Sequence, residues 1–251
     1  MSKEPLDKKE TEKEEREAKT GRNSSNLVID VDEMVKAGVY FGHKKSKRHP
    51  KMKLYISAVK NDVDIIDAQQ TAEMLRDFLL FLQEVIEKGG KILFVGTKAQ
   101  AKRIIKETAE ETSMPYVNER WLGGFLTNFQ TMLKRIEKFE SLRKQKEAGE
   151  LEKYTKKERI KIDKELKTFE EKFGGVKEAR RVPELIFLLD PKENEIAAKE
   201  AKKSGIAVVG VCNTNVNPSL CDWVIPANNN SVSSIKYILE KIKETILGVT
   251  K

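Results

Sequence analysis

The sequence predicts a three-layer α/β domain built on a parallel sheet, interrupted by a pair of long charged helices. Three observations predict it. Short runs that are apolar throughout alternate with amphipathic helical stretches, the pattern of parallel strands covered on both faces. Between 129 and 173 that alternation stops, and apolar residues recur only at spacings of three and four among charged ones. The chain has 251 residues, enough for one well-cored domain and an appendage or for two small domains.

Residues 1–26 come first. Positions 1–20 hold seven acids and six bases, and the stretch has almost no large apolar group. It cannot offset the entropy of folding, so a disordered charged tail is expected, with order beginning near Leu27. Short strand-like pieces follow at 54–59 and 63–67. A helix is predicted over 71–88 from Met74, Leu75, Phe78, Leu79, Leu82, Val85 and Ile86, stopped by Gly89-Gly90. The apolar strand 91–96 runs directly into a helix at 98–112. The C-terminal third repeats the rhythm: strand 184–189, helix 194–204 closed by Gly205, buried strand 206–211, short strand 223–225 and helix 231–247.

In the interrupted region, Phe129, Met132, Ile136, Phe139 and Leu142 form one narrow apolar seam. Ile162, Leu166, Phe169 and Phe173 form another after a break near Gly149. Two such helices joined by a short turn read as an antiparallel coiled-coil hairpin projecting from the sheet domain. The expected organisation is therefore a tail at 1–26, an α/β domain at 27–128 and 174–251, and a hairpin at 129–173.

Charge narrows the function. Charged residues make up 35% of the chain, with 48 bases against 40 acids and a net charge of +8, where an ordinary soluble domain has about 25%. Such a balance suits a polyanionic partner. Its distribution is more telling: Lys44, Lys45, Lys47, Arg48, Lys51, Lys53 and Lys60 follow His43 with no acid among them, and Pro50 argues against one continuous helix. Seven like charges on a loop repel one another unless a dense polyanion neutralises them. Lys98, Lys102, Arg103 and Lys106 open the helix after the Val95-Gly96 turn, where a helix N-terminus can hold a backbone phosphate of RNA. Arg120 and Trp121 beside two glycines, in a stretch ending at Asn128, offer a cation and a planar ring to a nucleic acid, although such a tryptophan more often belongs to a core.

Other chemistries lack their residues. Gly96-Thr97-Lys98 is not followed by a phosphate-loop cradle, and no Gly-x-Gly-x-x-Gly follows a strand. His43, His49, Cys212 and Cys221 show no metal-ligand spacing, and no nucleophile elbow occurs. Neither a cofactor nor a metal nor a catalytic group is expected. No apolar stretch reaches the ~18 residues of a membrane span, the N-terminus has no signal-like apolar core, and two cysteines make no disulfide framework. A cytoplasmic location is expected.

Several longer motifs resemble one family. Met34-Val-Lys-Ala-Gly-Val-Tyr-Phe-Gly-His43 with Pro50-Lys-Met52, Lys91-Ile-Leu-Phe-Val-Gly-Thr-Lys98, Arg120-Trp-Leu-Gly-Gly-Phe-Leu-Thr-Asn128, and Pro183-Glu-Leu-Ile-Phe-Leu-Leu-Asp190 continuing to Lys199-Glu200 and Gly205-Ile206 resemble the S-two family of small-subunit ribosomal proteins in its bacterial form. The resemblance implies a flavodoxin-like α/β domain bearing a coiled-coil hairpin. It further implies binding to small-subunit ribosomal RNA near the neck, contact with neighbouring ribosomal proteins, and help in recruiting the large mRNA-binding protein S-one. One departure stands out. Asn213, Asn217 and Asn228-Asn-Asn230 occupy stretches where the family is commonly more acidic, so a metal held by acidic groups there is not implied for this chain. Two rivals remain open at this level: a nucleotide- or flavin-using enzyme on the same architecture, and an adaptor acting mainly through its helical hairpin.

Overall fold

In a computed structural model, the protein is described over residues 29–150, 155–177 and 179–249. The chain divides into two compact units, Met1–Asp30 and Val31–Lys251. The expected charged tail at 1–26 lies outside the described residues, and every element below belongs to the second unit.

A short helix α1 (Val31–Lys36) precedes three strands, β1 (Phe41–Lys44), β2 (Ile56–Lys60) and β3 (Val63–Ile66). These form an antiparallel sheet in the order β1-β3-β2. Asn61 and Asp62 join β2 to β3 with φ of 49° and 60°, the left-handed pair whose turn matches strand twist. The long helix α2 (Ala68–Glu87) starts where the Asp67 carboxylate accepts the N–H groups of Gln69 and Gln70, satisfying two of the orphan donors of a helix start. The chain then runs through β4 (Ile92–Val95), α3 (Ala99–Glu111) and the two-residue strand β5 (Tyr116–Val117). Helices α4 (Phe129–Glu147) and α5 (Lys156–Phe173) follow, the latter opened by a reciprocal capping box between Thr155 and Glu158. The chain closes with β6 (Leu185–Leu189), α6 (Glu195–Lys203), β7 (Ala207–Cys212), β8 (Trp223–Pro226) and α7 (Val232–Val249).

Five strands form a wholly parallel sheet in the order β5-β4-β6-β7-β8. Every residue of β4 and β6 is buried, as continuous apolar runs require. Alternate side chains face opposite ways, so Leu93, Val95, Ile186, Leu188 and Val208 share one cluster with Ala197, Ala198 and Ala201 of α6. On α2, α3 and α7 the apolar stripes are buried and the three helices pack together. The α/β class and the parallel sheet expected from the sequence are what the chain adopts.

Three elements escaped the sequence reading. The short helix α1, strand β1 and strand β5 have six, four and two residues, too few to show a period. The segment expected as strand from 54 begins instead with a 3-10 turn, Pro50–Tyr55, and Leu54 is left exposed before β2 starts.

Along α4 and α5, Phe139 stacks on Phe169 (ring centroids 3.8 Å apart) and Phe169 on Phe173 (4.2 Å). Lys146 pairs with Asp163 at 2.7 Å. Rising positions on α4 thus meet falling positions on α5. The roots of both helices enter the main core, because Phe129, Met132, Ile136 and Phe173 cluster with Val117, Trp121, Phe125 and Leu126.

Candidate nucleic-acid interface

The basic segment after His43 is pinned to the body at a few points. Asp64 on β3 is fully buried and receives Arg48: Nε donates to Oδ2 at 2.9 Å and Nη2 donates to Oδ1. The carboxylate raises the guanidinium pKa further, keeping it charged. Two bonds from main-chain N–H groups cross to the loop after β7, from His43 N–H to the Thr214 hydroxyl Oγ1 (2.9 Å) and from His49 N–H to the Thr214 carbonyl (2.8 Å). Gly42 permits this approach, since a Cβ there would lie 2.7 Å from both the Asp64 carbonyl oxygen and Thr214 Cγ2. With the backbone fixed, Lys44, Lys45, Lys47, Lys53 and Lys60 point outward, exposed, and none is ion-paired among the described residues. Lys51 reaches Ser219 Oγ at 2.7 Å. His49 Nδ1 accepts the Lys51 N–H. His43 Nε2 lies 3.1 Å from the Asn230 amide nitrogen.

The second group is more internal than its composition suggests. Lys98 lies where the strand order reverses, at the C-terminal ends of β4 and β6, the usual ligand crevice of an open α/β sheet. Its ammonium is 2.6 Å from Asp190 Oδ2 and donates to Asn229 and Asn230, leaving the side chain 10% exposed. That crevice is filled by the chain itself. Lys102 pairs with Glu119 and Arg103 with Glu107, both at the surface, where such pairs are worth little and exchange readily.

Trp121 is core. It is buried edge-on against Phe125, and its indole N–H donates to Glu200 Oε1 at 3.2 Å. Glu200 also accepts the N–H groups of Gly124 (2.7 Å) and Leu126 (3.1 Å). One buried carboxylate therefore shapes the whole 121–126 loop, with Gly124 in the left-handed region at φ +84°. This positioning residue was not singled out from the sequence. Its signals are its place in the Lys199-Glu200 motif and an acid lying among the alanines of α6. Beside this loop Arg120 and Asn128 remain exposed, the latter accepting from Thr131. So Arg48, Lys98 and Trp121 are occupied inside the fold, whereas the lysines of 44–60, Arg120 and Asn128 face outward.

Cys212 and Cys221 are both buried and unbridged, with sulfurs 4.0 Å apart. The hydrogen bond they share, together with burial, pushes the Cys212 thiol well above its ordinary range, so it offers no thiolate at neutral pH. Among the described residues no group of three or more His, Cys, Asp or Glu side chains could hold a metal ion. Asn213 accepts the Thr214 N–H and Asn217 the Ser219 N–H. These asparagines serve the turns of their own loop.

Two comparisons bear on this arrangement. Residues 34–248 match the family model for ribosomal protein S2. The small ribosomal subunit protein uS2 of Coprothermobacter proteolyticus is 43% identical over 220 residues, covering 88% of this chain and 82% of that protein. The chain belongs to the ribosomal protein S2 family. It is of the bacterial type, and the motifs that resembled the family now have physical roles. Phe41-Gly42-His43 provides the close approach to Asp64 and Thr214, Gly96-Thr97-Lys98 fills the crevice beside Asp190, and Trp121 to Leu126 is the loop gathered on Glu200.

Proposed function

We propose that this chain is a structural constituent of the small ribosomal subunit, cytoplasmic as that particle is in bacteria, and binds small-subunit ribosomal RNA through the basic segment after His43. Lys44, Lys45, Lys47 and Lys53, with Lys51, Lys60, Arg120 and Asn128 around them, make the phosphate contacts. Lys102 and Arg103 contribute by exchanging carboxylate for phosphate. Arg48, Lys98 and Trp121 act indirectly, by holding the surfaces that carry the others. A place near the neck, contact with neighbouring subunit proteins and help in recruiting S-one follow from the family resemblance, as do the flavodoxin-like character of the domain and the reading of α4 and α5 as an inserted coiled-coil hairpin. The role is architectural and not catalytic.

The single observation carrying this reading is the row of exposed, unpaired lysines on a backbone pinned by Asp64 and Thr214. A basic surface held in one shape before binding loses little entropy on meeting RNA. Each phosphate contact releases a counterion, so the logarithm of affinity should fall with log salt by about 0.7–0.9 per contact. Replacing Lys44, Lys45, Lys47 and Lys53 by glutamine should flatten that slope by about 3 and reduce co-sedimentation with small subunits, with the fold intact. An unchanged slope in a folded variant would sink the assignment.

A further inference from the structure

Between α4 and α5 runs a groove of about 620 Å³ whose two parts differ in chemistry. Its floor is apolar, made by Phe139, Leu142, Leu166 and Phe169. Its rim is basic: Arg135, Lys138, Lys161, Lys164 and Lys172 stand against the single acid Glu165, so the rim balance is five minus one, or +4. None of those five bases is ion-paired among the described residues. Lys134, Lys144, Lys156, Lys157, Arg159 and Lys167 of the same helices are likewise without an ion pair, whereas Arg143 pairs with Glu147, Lys146 with Asp163 and Glu140 with Arg180; the rim is set apart by its place around the apolar floor. The stacked rings of Phe139, Phe169 and Phe173 stiffen the floor, which lowers the ordering cost of docking.

We infer that this groove docks an acidic amphipathic helix from a protein partner, with apolar residues at i, i+3 or i+4, and i+7 entering the floor and Glu or Asp meeting the rim. Charge complementarity selects this occupant. A second copy of the chain would bring another +4 rim and be repelled. An RNA strand would satisfy the lysines but leave the aliphatic and aromatic floor without an apolar filling, whereas an amphipathic helix uses both parts at once. The inference leans on the ribosomal reading only for where the partner is met.

The first probe is a synthetic helical peptide of about 18 residues, long enough to hold helix in solution, with a leucine stripe flanked by glutamates. It is titrated by fluorescence anisotropy against the full chain. It should bind at least tenfold more tightly than the same peptide with lysines for glutamates, or with serines for leucines. The double variant Lys138→Glu, Lys164→Glu should weaken it at least tenfold; both positions are exposed, so circular dichroism should be unchanged. Equal affinity for the lysine or serine peptides, or an unaltered affinity of the folded double variant, overturns the docking. A photo-cross-linking residue at position 142 of the chain, in purified small subunits, supplies the second readout. An adduct to an acidic protein segment that disappears in the double variant is expected. An adduct to RNA, one to a second copy, or none overturns it. Incorporation into subunits is scored separately: a wild-type chain that fails to incorporate counts against the ribosomal reading, while normal incorporation without docking counts against the groove alone.

Discussion

Between His43 and Lys60 seven bases stand with no acid among them, whereas along α4 and α5 bases and acids are interleaved. The first stretch is held by one buried carboxylate and by two N–H groups donating to the Thr214 hydroxyl and carbonyl. The second is held by an apolar seam and by ion pairs between neighbouring turns. In the basic segment, a polar anchor fixes the backbone and leaves the lysines to repel one another outward, ready for a polyanion. In the paired helices, a few charges pair locally, and the unpaired bases of the groove rim stand around an apolar floor. Lysine content alone does not distinguish the two regions. What anchors the chain beneath the lysines does.

The sharpest way to break this comparison is to remove the polar anchor. Arg48→Ala should lower stability by about 3–5 kcal/mol in urea denaturation, because it leaves the fully buried Asp64 carboxylate without its partner. Lys47→Ala, one residue away and exposed, should stay within about 0.5 kcal/mol. Similar small effects from both would mean that Arg48 is one more surface base.

The apolar anchor is tested next. Ile136→Asp places a carboxylate in the cluster shared with Trp121 and Phe173 and should cost at least about 3 kcal/mol. Region-resolved hydrogen exchange should show α4, α5 and the 117–126 segment losing protection, with β6 and β7 retained. Leu166→Asp, farther from the shared cluster, should release α4 and α5 alone. Equal loss in β6 and β7 would make helices and sheet one cooperative unit.

A smaller effect is expected at the loop between these regions. Glu200→Gln exchanges one accepting oxygen for an amide donor opposite the N–H groups of Trp121, Gly124 and Leu126, and should cost about 1–3 kcal/mol. Faster exchange of the Gly124 and Leu126 amides would report it, and unchanged rates would deny Glu200 its positioning role.

The smallest effect concerns the α5 cap. Hydrogen bonds from the Thr155 N–H and hydroxyl lower the Glu158 pKa. A carboxylate depressed on folding stabilises above its unfolded pKa, about 4.3, and loses that contribution as pH falls through the still lower folded value. The first turn of α5 should thus fray only under acid, while Thr155→Ala frays it at neutral pH. Amide exchange at Glu158 across pH 3–7 follows both, and fraying that begins near neutrality in the wild type would contradict the capping box.

Much of the architecture was legible before any coordinates. Continuous apolar runs cannot be satisfied except inside a sheet covered on both sides, so β4, β6 and β7 announced themselves, and Gly89 and Gly205 marked helix ends. Strand β5 was illegible because two residues show no period, and it exists only by pairing with Phe94 and Val95. The acid-free lysines were equally plain as sequence. Their separation into anchor and contacts was not, for Asp64 lies beyond the segment and Thr214 is 171 positions from His43.

By itself, the sequence determined the α/β class, the excess of basic charge and its concentration after His43, because hydrophobic period and charge density are local properties. Only the tertiary structure decided which charges are free. Arg48 and Lys98 resemble their basic neighbours in residue type, yet each meets a buried acid brought from another strand or its end. Whether a cation faces solvent or a carboxylate depends on desolvation at a particular place, and that place exists only once the strands are assembled.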